Sequence, residues 1–147
     1  RWEDFSGKYR IVYFGYTFCP DACPFDVATM MRGLGSFAQE QPALAAQVQP
    51  IFISIDPARD TPAVVGEFTS NFPAPLVGLT GTPAQVDAAA KAFAAYYAKG
   101  KPTSGGYLMD HSRIAYLMGR KGEPIAMLEV DRGQPELVAA ELAKWVR

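Results

Sequence analysis

The chain has 147 residues, of which 49% are hydrophobic and 20% are charged, and its formal net charge is −1. This length and composition predict one globular domain with a substantial core, and they argue against a nucleic-acid partner, which requires a basic face. No apolar run approaches the roughly 20 residues that cross a bilayer. The sequence begins Arg1-Trp2-Glu3 without a methionine. We therefore interpret it as a processed or truncated product, from which a leader or anchor can have been removed, and its native location stays open.

Strands and helices alternate along the first two thirds of the predicted fold. Apolar, β-branched and aromatic residues predict strands over residues 8–16, 48–56 and 76–79. Proline and capping signals predict that a helix follows each strand, over residues 24–39, 60–72 and 82–98. Thr82 and Gln85 have the spacing of a capping box, and Asp60 or Thr61 is expected to cap the middle helix.

The last third of the chain has a different predicted order. Residues 99–106 are rich in Gly, Lys, Ser and Pro and predict a flexible loop. Two strands over residues 112–118 and 124–130, joined by a turn at 119–122, and a closing helix over 134–147 follow. This order predicts an α/β thioredoxin-like three-layer sandwich, with a mixed central sheet and flanking helices, that forms one domain over residues 1–147.

The two cysteines, Cys19 and Cys23, lie between the first strand and its helix. They are candidates for a structural disulfide, a redox pair or a metal site. A disulfide across so small a loop would add little stability. Near a helix N-terminus the thiolate is favoured, which suits both other roles. Thioredoxin-like oxidoreductases separate their cysteines by two residues; the three here give a wider bite, suited to two sulfurs that share one metal ion.

The only histidine, His111, is the candidate third ligand. It precedes a predicted strand whose start faces the cysteine loop in thioredoxin-like domains. Two thiolates and an imidazole satisfy three-coordinate Cu(I), and an added oxygen donor would complete a Cu(II) site. Zinc is the second choice, because a structural zinc site needs a fourth protein ligand. Asp21 is that oxygen donor, a residue that helps to dock a partner, or a solvated turn residue. Arg59 is expected to pair with a carboxylate and hold its loop beside the cysteines.

Three stretches, YFGYTFCPDACP, ISIDPARDTP and YLMDHSRIAYLM, resemble the signatures of the Sco/SenC/PrrC family of thioredoxin-like copper-binding proteins. The resemblance implies that Cys19, Cys23 and His111 are copper ligands for Cu(I) and Cu(II). It also implies a role in maturing the dinuclear copper site of cytochrome c oxidase subunit II, or of another copper protein, with a copper donor or thiol reductant as a further partner. Bacterial members are usually periplasmic and held at the inner membrane by an N-terminal helix. That helix and the family's N-terminal strands are expected to be missing from this sequence.

Two other functions compete with a copper metallochaperone. A thiol–disulfide oxidoreductase would use Cys19 and Cys23 as its redox-active pair, and His111 would be incidental. This enzyme activity is compatible with a chaperone that first reduces its target. A peroxidase or redox sensor would instead need one acidic cysteine that peroxide oxidises and a second that resolves it.

Overall fold

The computed structural model of the protein describes residues 2–18, 22–73, 76–93, 97–103, 106–111 and 113–147. Within these ranges a 3-10 turn, Trp2–Phe5, is followed by seven strands and five α-helices. The strands are β1 (Tyr9–Gly15), β2 (Val48–Ser54), β3 (Val77–Leu79), β4 (Tyr97–Thr103), β5 (Gly106–His111), β6 (Ile114–Met118) and β7 (Pro124–Glu129). The helices are α1 (Ala22–Glu40), α2 (Pro42–Ala45), α3 (Pro62–Ser70), α4 (Pro83–Ala92) and α5 (Pro135–Trp145).

The central sheet is mixed and has the strand order β3-β2-β1-β6-β7. Strands β1, β2 and β3 are parallel, whereas β6 is antiparallel to β1, with Tyr13 opposite Ala115. The carboxyl ends of the three parallel strands and the start of β6 therefore lie at one edge of the sheet. Ligand sites of open α/β sheets collect at this edge.

Helices cover both faces of the sheet. The Tyr13 side chain reaches α1, and Phe52, its neighbour in β2, packs on Phe68 of α3 with ring centroids 4.7 Å apart. The next residue of β1, Phe14, points to the opposite face, since successive side chains of a strand alternate, and it packs on Phe93 at the end of α4. Helix α5 packs beside α1. The predicted thioredoxin-like three-layer arrangement is confirmed.

The helix that begins with the capping box is shorter than predicted. Both capping-box hydrogen bonds between Thr82 and Gln85 are present, but α4 ends at Ala92 rather than near residue 98. Phe93 forms the C-cap, and its ring packs against Phe14 and Tyr116. The prediction failed because alanine-rich sequence has a high local helix propensity, which the packing of Phe93 and the strand that follows override.

The flexible loop predicted over residues 99–106 is also wrong. Residues 97–103 form β4, which pairs with β5 in a separate two-stranded antiparallel sheet. A register shift between Lys99 and Pro102 interrupts the ladder. Such an irregularity is where a strand tolerates proline, which has no N–H to donate. The prediction from Gly, Lys and Pro failed because β4 forms through its hydrogen bonds with β5, which a local pattern does not reveal.

Candidate metal and thiol site

The residues predicted to form the site belong to three parts of the fold. Cys19 and Asp21, between β1 and α1, lie outside the described residues. Cys23 is the second residue of α1, and His111 is the last residue of β5, where it is in register with Tyr97. That these side chains come together therefore stays a prediction. The described residues next to them make the contacts that position each segment.

Asp26 joins the cysteine helix to the segment that follows His111. Its carboxylate is fully buried, and it accepts hydrogen bonds from Arg113 Nε at 3.0 Å and Arg113 Nη2 at 2.8 Å. The Tyr13 hydroxyl donates a third hydrogen bond, at 2.6 Å, from β1. Asp26 comes three residues after Cys23, and Arg113 comes two residues after His111. The backbone segments that carry two of the predicted ligands therefore converge at this contact.

The contact with Asp26 stabilises the positive charge of Arg113. The hydrogen bonds with Asp26 raise the pKa of the Arg113 guanidinium above its usual value, although partial burial opposes the shift. Arg113 therefore stays protonated at any pH where the protein is folded, and it brings a positive charge to the carboxylate. Two parallel N–H···O bonds also fix the orientation of both groups, which a single point contact would not do.

The carboxylate of Asp60 holds the residues that directly precede Cys19. Its carboxylate is fully buried at the ends of β1 and β2. It accepts hydrogen bonds from the Thr17 backbone N–H at 3.0 Å, the Thr17 hydroxyl at 2.5 Å and the Ser54 hydroxyl at 2.6 Å. Thr80, just after β3, donates to the Asp60 carbonyl at 2.9 Å. Asp60 thus ties the ends of three parallel strands together, and its partner Thr17 lies two residues before Cys19.

Thr61, and not Asp60, caps α3. The Thr61 hydroxyl accepts from the Val64 N–H at 3.3 Å, as an N-cap residue does. Of the two capping candidates the sequence left open, Thr61 is therefore confirmed. Asp60 is instead occupied by contacts with Thr17 and Ser54, which no local pattern indicated.

Arg59 holds the loop between β2 and α3 against the residues that precede Cys19, as expected. Its Nε donates to the Asp56 carboxylate at 2.5 Å. Its guanidinium carbon lies 4.8 Å from the centroid of the Phe18 ring and 5.8 Å from that of Tyr16. Phe18 is half exposed and directly precedes Cys19. The arginine therefore positions an aromatic side chain at the rim of the predicted site by a cation–π contact.

Cys23 lies in the first turn of α1, as the sequence predicted. Free N–H groups and the helix dipole stabilise negative charge in the first turn of a helix, where Cys23 lies. Among the described residues, no group of three or more His, Cys, Asp or Glu side chains has the arrangement to hold a metal ion.

Sequence reasoning missed Asp26 and Arg113 as supports of the site. The available signal was a charged residue in each of two otherwise apolar stretches, FDV and RIAYLM. A buried charge needs a partner, so each residue predicts an ion pair. Their pairing with each other spans 87 positions and cannot be seen locally.

The whole chain, residues 1–147, matches the family model described as SCO1/SenC. Protein SenC of Rhodobacter capsulatus is 43% identical over 137 residues, which cover 93% of this chain and 60% of that protein. The human mitochondrial SCO1 homolog is 36% identical over 146 residues, which cover 99% of this chain and 48% of that protein. The chain thus spans about half the length of these relatives.

Two similar solved structures have copper bound. Arabidopsis thaliana ScoI superposes with a TM-score of 0.89 at 31% identity, over 97% of this chain and 86% of that one. Bradyrhizobium japonicum ScoI gives a TM-score of 0.78 at 36% identity, over 97% of this chain and 88% of that one. In the ranges that the structure of this chain describes, no helix is both long enough and apolar enough to cross a membrane.

Proposed function

This chain belongs to the SCO1/SenC family, and from that premise we propose that it is a copper metallochaperone that holds one Cu(I) or Cu(II) through Cys19, Cys23 and His111. The observation that carries the proposal is the contact of Asp26 with Arg113, at 2.8 and 3.0 Å. This contact supports the proposal because it brings the segment beside His111 to α1, whose second residue is Cys23.

The donor set favours copper over other metals. Two thiolates and an imidazole suit soft Cu(I), and the imidazole also suits Cu(II). The copper-bound ScoI proteins of Arabidopsis thaliana and Bradyrhizobium japonicum support the same choice. Copper is the cargo in this proposal, so the site must release it to the thiolates of a partner by ligand exchange. Oxidation of the cysteines to a Cys19–Cys23 disulfide would abolish binding, because a disulfide sulfur is not a thiolate ligand.

The proposed target is the dinuclear copper site of cytochrome c oxidase subunit II, or another copper protein outside the cytoplasm. The family resemblance supports this target. The similarity to a bacterial SenC protein supports a periplasmic location with a tether to the inner membrane. We further propose that residues 1–147 act as one Sco-type domain of a longer protein, which accords with the partial coverage of its relatives.

A thiol–disulfide oxidoreductase is the second candidate function. The position of Cys23 in the first turn of α1 favours it, since a helix N-terminus promotes the reactive thiolate. In this reaction Cys19 and Cys23 would lose two electrons and two protons and form their own disulfide. The target disulfide would gain them and become a dithiol. Reduction of the target before copper transfer would combine the two functions.

An anaerobic copper titration of the fully reduced protein separates these functions. Absorption and electron paramagnetic resonance spectra are recorded for the wild type, His111→Ala and the control Lys91→Met, which removes an exposed lysine paired with Asp87 on α4. The chaperone predicts one tight equivalent of copper in the wild type and the control, with thiolate-to-Cu(II) charge-transfer bands that His111→Ala loses or weakens. Weak binding that is indifferent to His111, together with rapid dithiol exchange, would instead identify an oxidoreductase.

A further inference from the structure

The contact between Asp26 and Arg113 joins three elements at one buried carboxylate. Asp26 belongs to α1, Tyr13 to β1, and Arg113 lies immediately before β6. The Asp26 side chain has no exposed surface, whereas 42% of the Arg113 side chain is exposed, so the arginine covers the carboxylate from the solvent side. Loss of Arg113 would leave Asp26 with a charge that the Tyr13 hydroxyl alone does not balance, and such buried charges are unfavourable.

This contact lies close to both ends of the proposed copper site along the chain. Three residues of helix advance about 4.5 Å, which is the axial separation of Cys23 and Asp26. Two residues of extended chain reach at most about 7 Å, which bounds the backbone separation of His111 and Arg113. The two side chains meet at 2.8 Å, so a short path connects the Cys23 backbone with the His111 backbone.

Arg113 also lies in the link between two separate sheets. His111 ends β5 in the two-stranded sheet, and Ile114 begins β6 in the five-stranded sheet. The bidentate contact holds this link against α1. Arg113 is thus fixed two residues beyond the last residue of β5.

We propose that Arg113 is a positioning residue, whose paired hydrogen bonds with Asp26 set the approach of His111 to the two cysteines. The inference rests on the proposed function, because it assumes that His111 is a copper ligand. It assigns to Arg113 and Asp26 a role in metal affinity that is separate from their contribution to folding. Supporting residues of this kind typically change metal affinity by about 10- to 100-fold when they are replaced.

A double-mutant cycle between Arg113 and His111 tests the proposal. Copper(II) affinity is measured by chelator competition for the wild type, Arg113→Met, His111→Ala and the double variant, with Lys91→Met as the exposed-lysine control. Urea unfolding of each metal-free protein shows that it is folded under the binding conditions. Arg113→Met is expected to weaken binding about tenfold or more and to shift the thiolate-to-copper charge-transfer band. In the His111→Ala background the same substitution is expected to change affinity by no more than about twofold, because the ligand that Arg113 positions is already absent.

Arg113→Lys provides the rescue variant, because lysine keeps the charge but cannot form the two parallel hydrogen bonds. Its affinity is expected between those of Arg113→Met and the wild type. The proposal is overturned if Arg113→Met binds copper as the wild type does, or if it loses the same factor with and without His111. If His111→Ala alone leaves copper binding unchanged, the proposed function itself fails, and this outcome is distinct from the other two.

Discussion

Replacement of Asp60 tests whether the buried carboxylate holds the end of β1 beside the cysteines. Asp60→Ala removes the acceptor of three hydrogen bonds, two from Thr17 and one from Ser54, with lengths from 2.5 to 3.0 Å. The methyl group of alanine cannot accept any of them. The buried Ser54 hydroxyl and the partly buried donors of Thr17 then lose this acceptor.

The expected cost follows from the number of donors left without an acceptor. Each unsatisfied buried donor costs about 1–3 kcal/mol, and the two hydroxyls can partly reorient, so Asp60→Ala should lower the free energy of unfolding by about 3–5 kcal/mol. Asp60→Asn should cost only about 1–2 kcal/mol, because the hydrogen bonds are kept but their acceptor is no longer charged. Its amide oxygen can accept from the Thr17 N–H and Ser54, while its NH₂ group donates to the Thr17 hydroxyl, which can turn to accept.

Urea unfolding of the reduced, metal-free protein, followed by circular dichroism, measures these differences. Asp87→Asn is the matched control, since Asp87 pairs with Lys91 on the exposed surface of α4. The control should change stability by no more than about 0.5 kcal/mol. The reasoning is refuted if Asp60→Ala costs less than about 1 kcal/mol, or if the asparagine and alanine variants are equally destabilised.

Two further predictions concern packing and pH. Gly33→Ala should destabilise the protein by about 1–3 kcal/mol, because an added Cβ would lie 2.4 Å from Val138 Cβ on α5. Gly35→Ala, on the same helix with open space, should stabilise it by about 0.5–1 kcal/mol, and urea unfolding in which both variants shift in the same direction would contradict this account. Burial raises the pKa of Tyr116 above 10.0, so its neutral form is favoured in the folded state and stability should fall as pH rises through that folded pKa. Tyr116→Phe should show a smaller loss of stability between neutral pH and pH values above 10 than the wild type, and an equal loss would exclude this contribution.

The order of the main elements was predictable because its signals are local. Continuous apolar runs such as IVYF in β1 indicate buried strands, and Thr82 with Gln85 starts α4 as expected. The strand over residues 97–103 was not predictable in this way. Its sequence contains Gly, Lys and Pro, and it is a strand because β5 supplies its hydrogen-bond partners.

The supports of the site depend on contacts that are distant in sequence. Asp60 meets Thr17 across 43 positions, and Asp26 meets Arg113 across 87 positions. A single sequence shows that each charged residue needs a partner but not which partner it has. Cys19, Cys23 and His111 were chosen instead by their chemistry, since few other residues of this chain can bind a soft metal.

X-ray absorption at the copper edge of the reconstituted protein tests the central claim most directly, because it identifies the atoms bound to the metal. The account predicts two sulfur ligands and one imidazole in the wild type, and loss of the imidazole signal in His111→Ala with both sulfur ligands retained. A spectrum of nitrogen and oxygen ligands alone, or one that His111→Ala leaves unchanged, would contradict the proposed copper site.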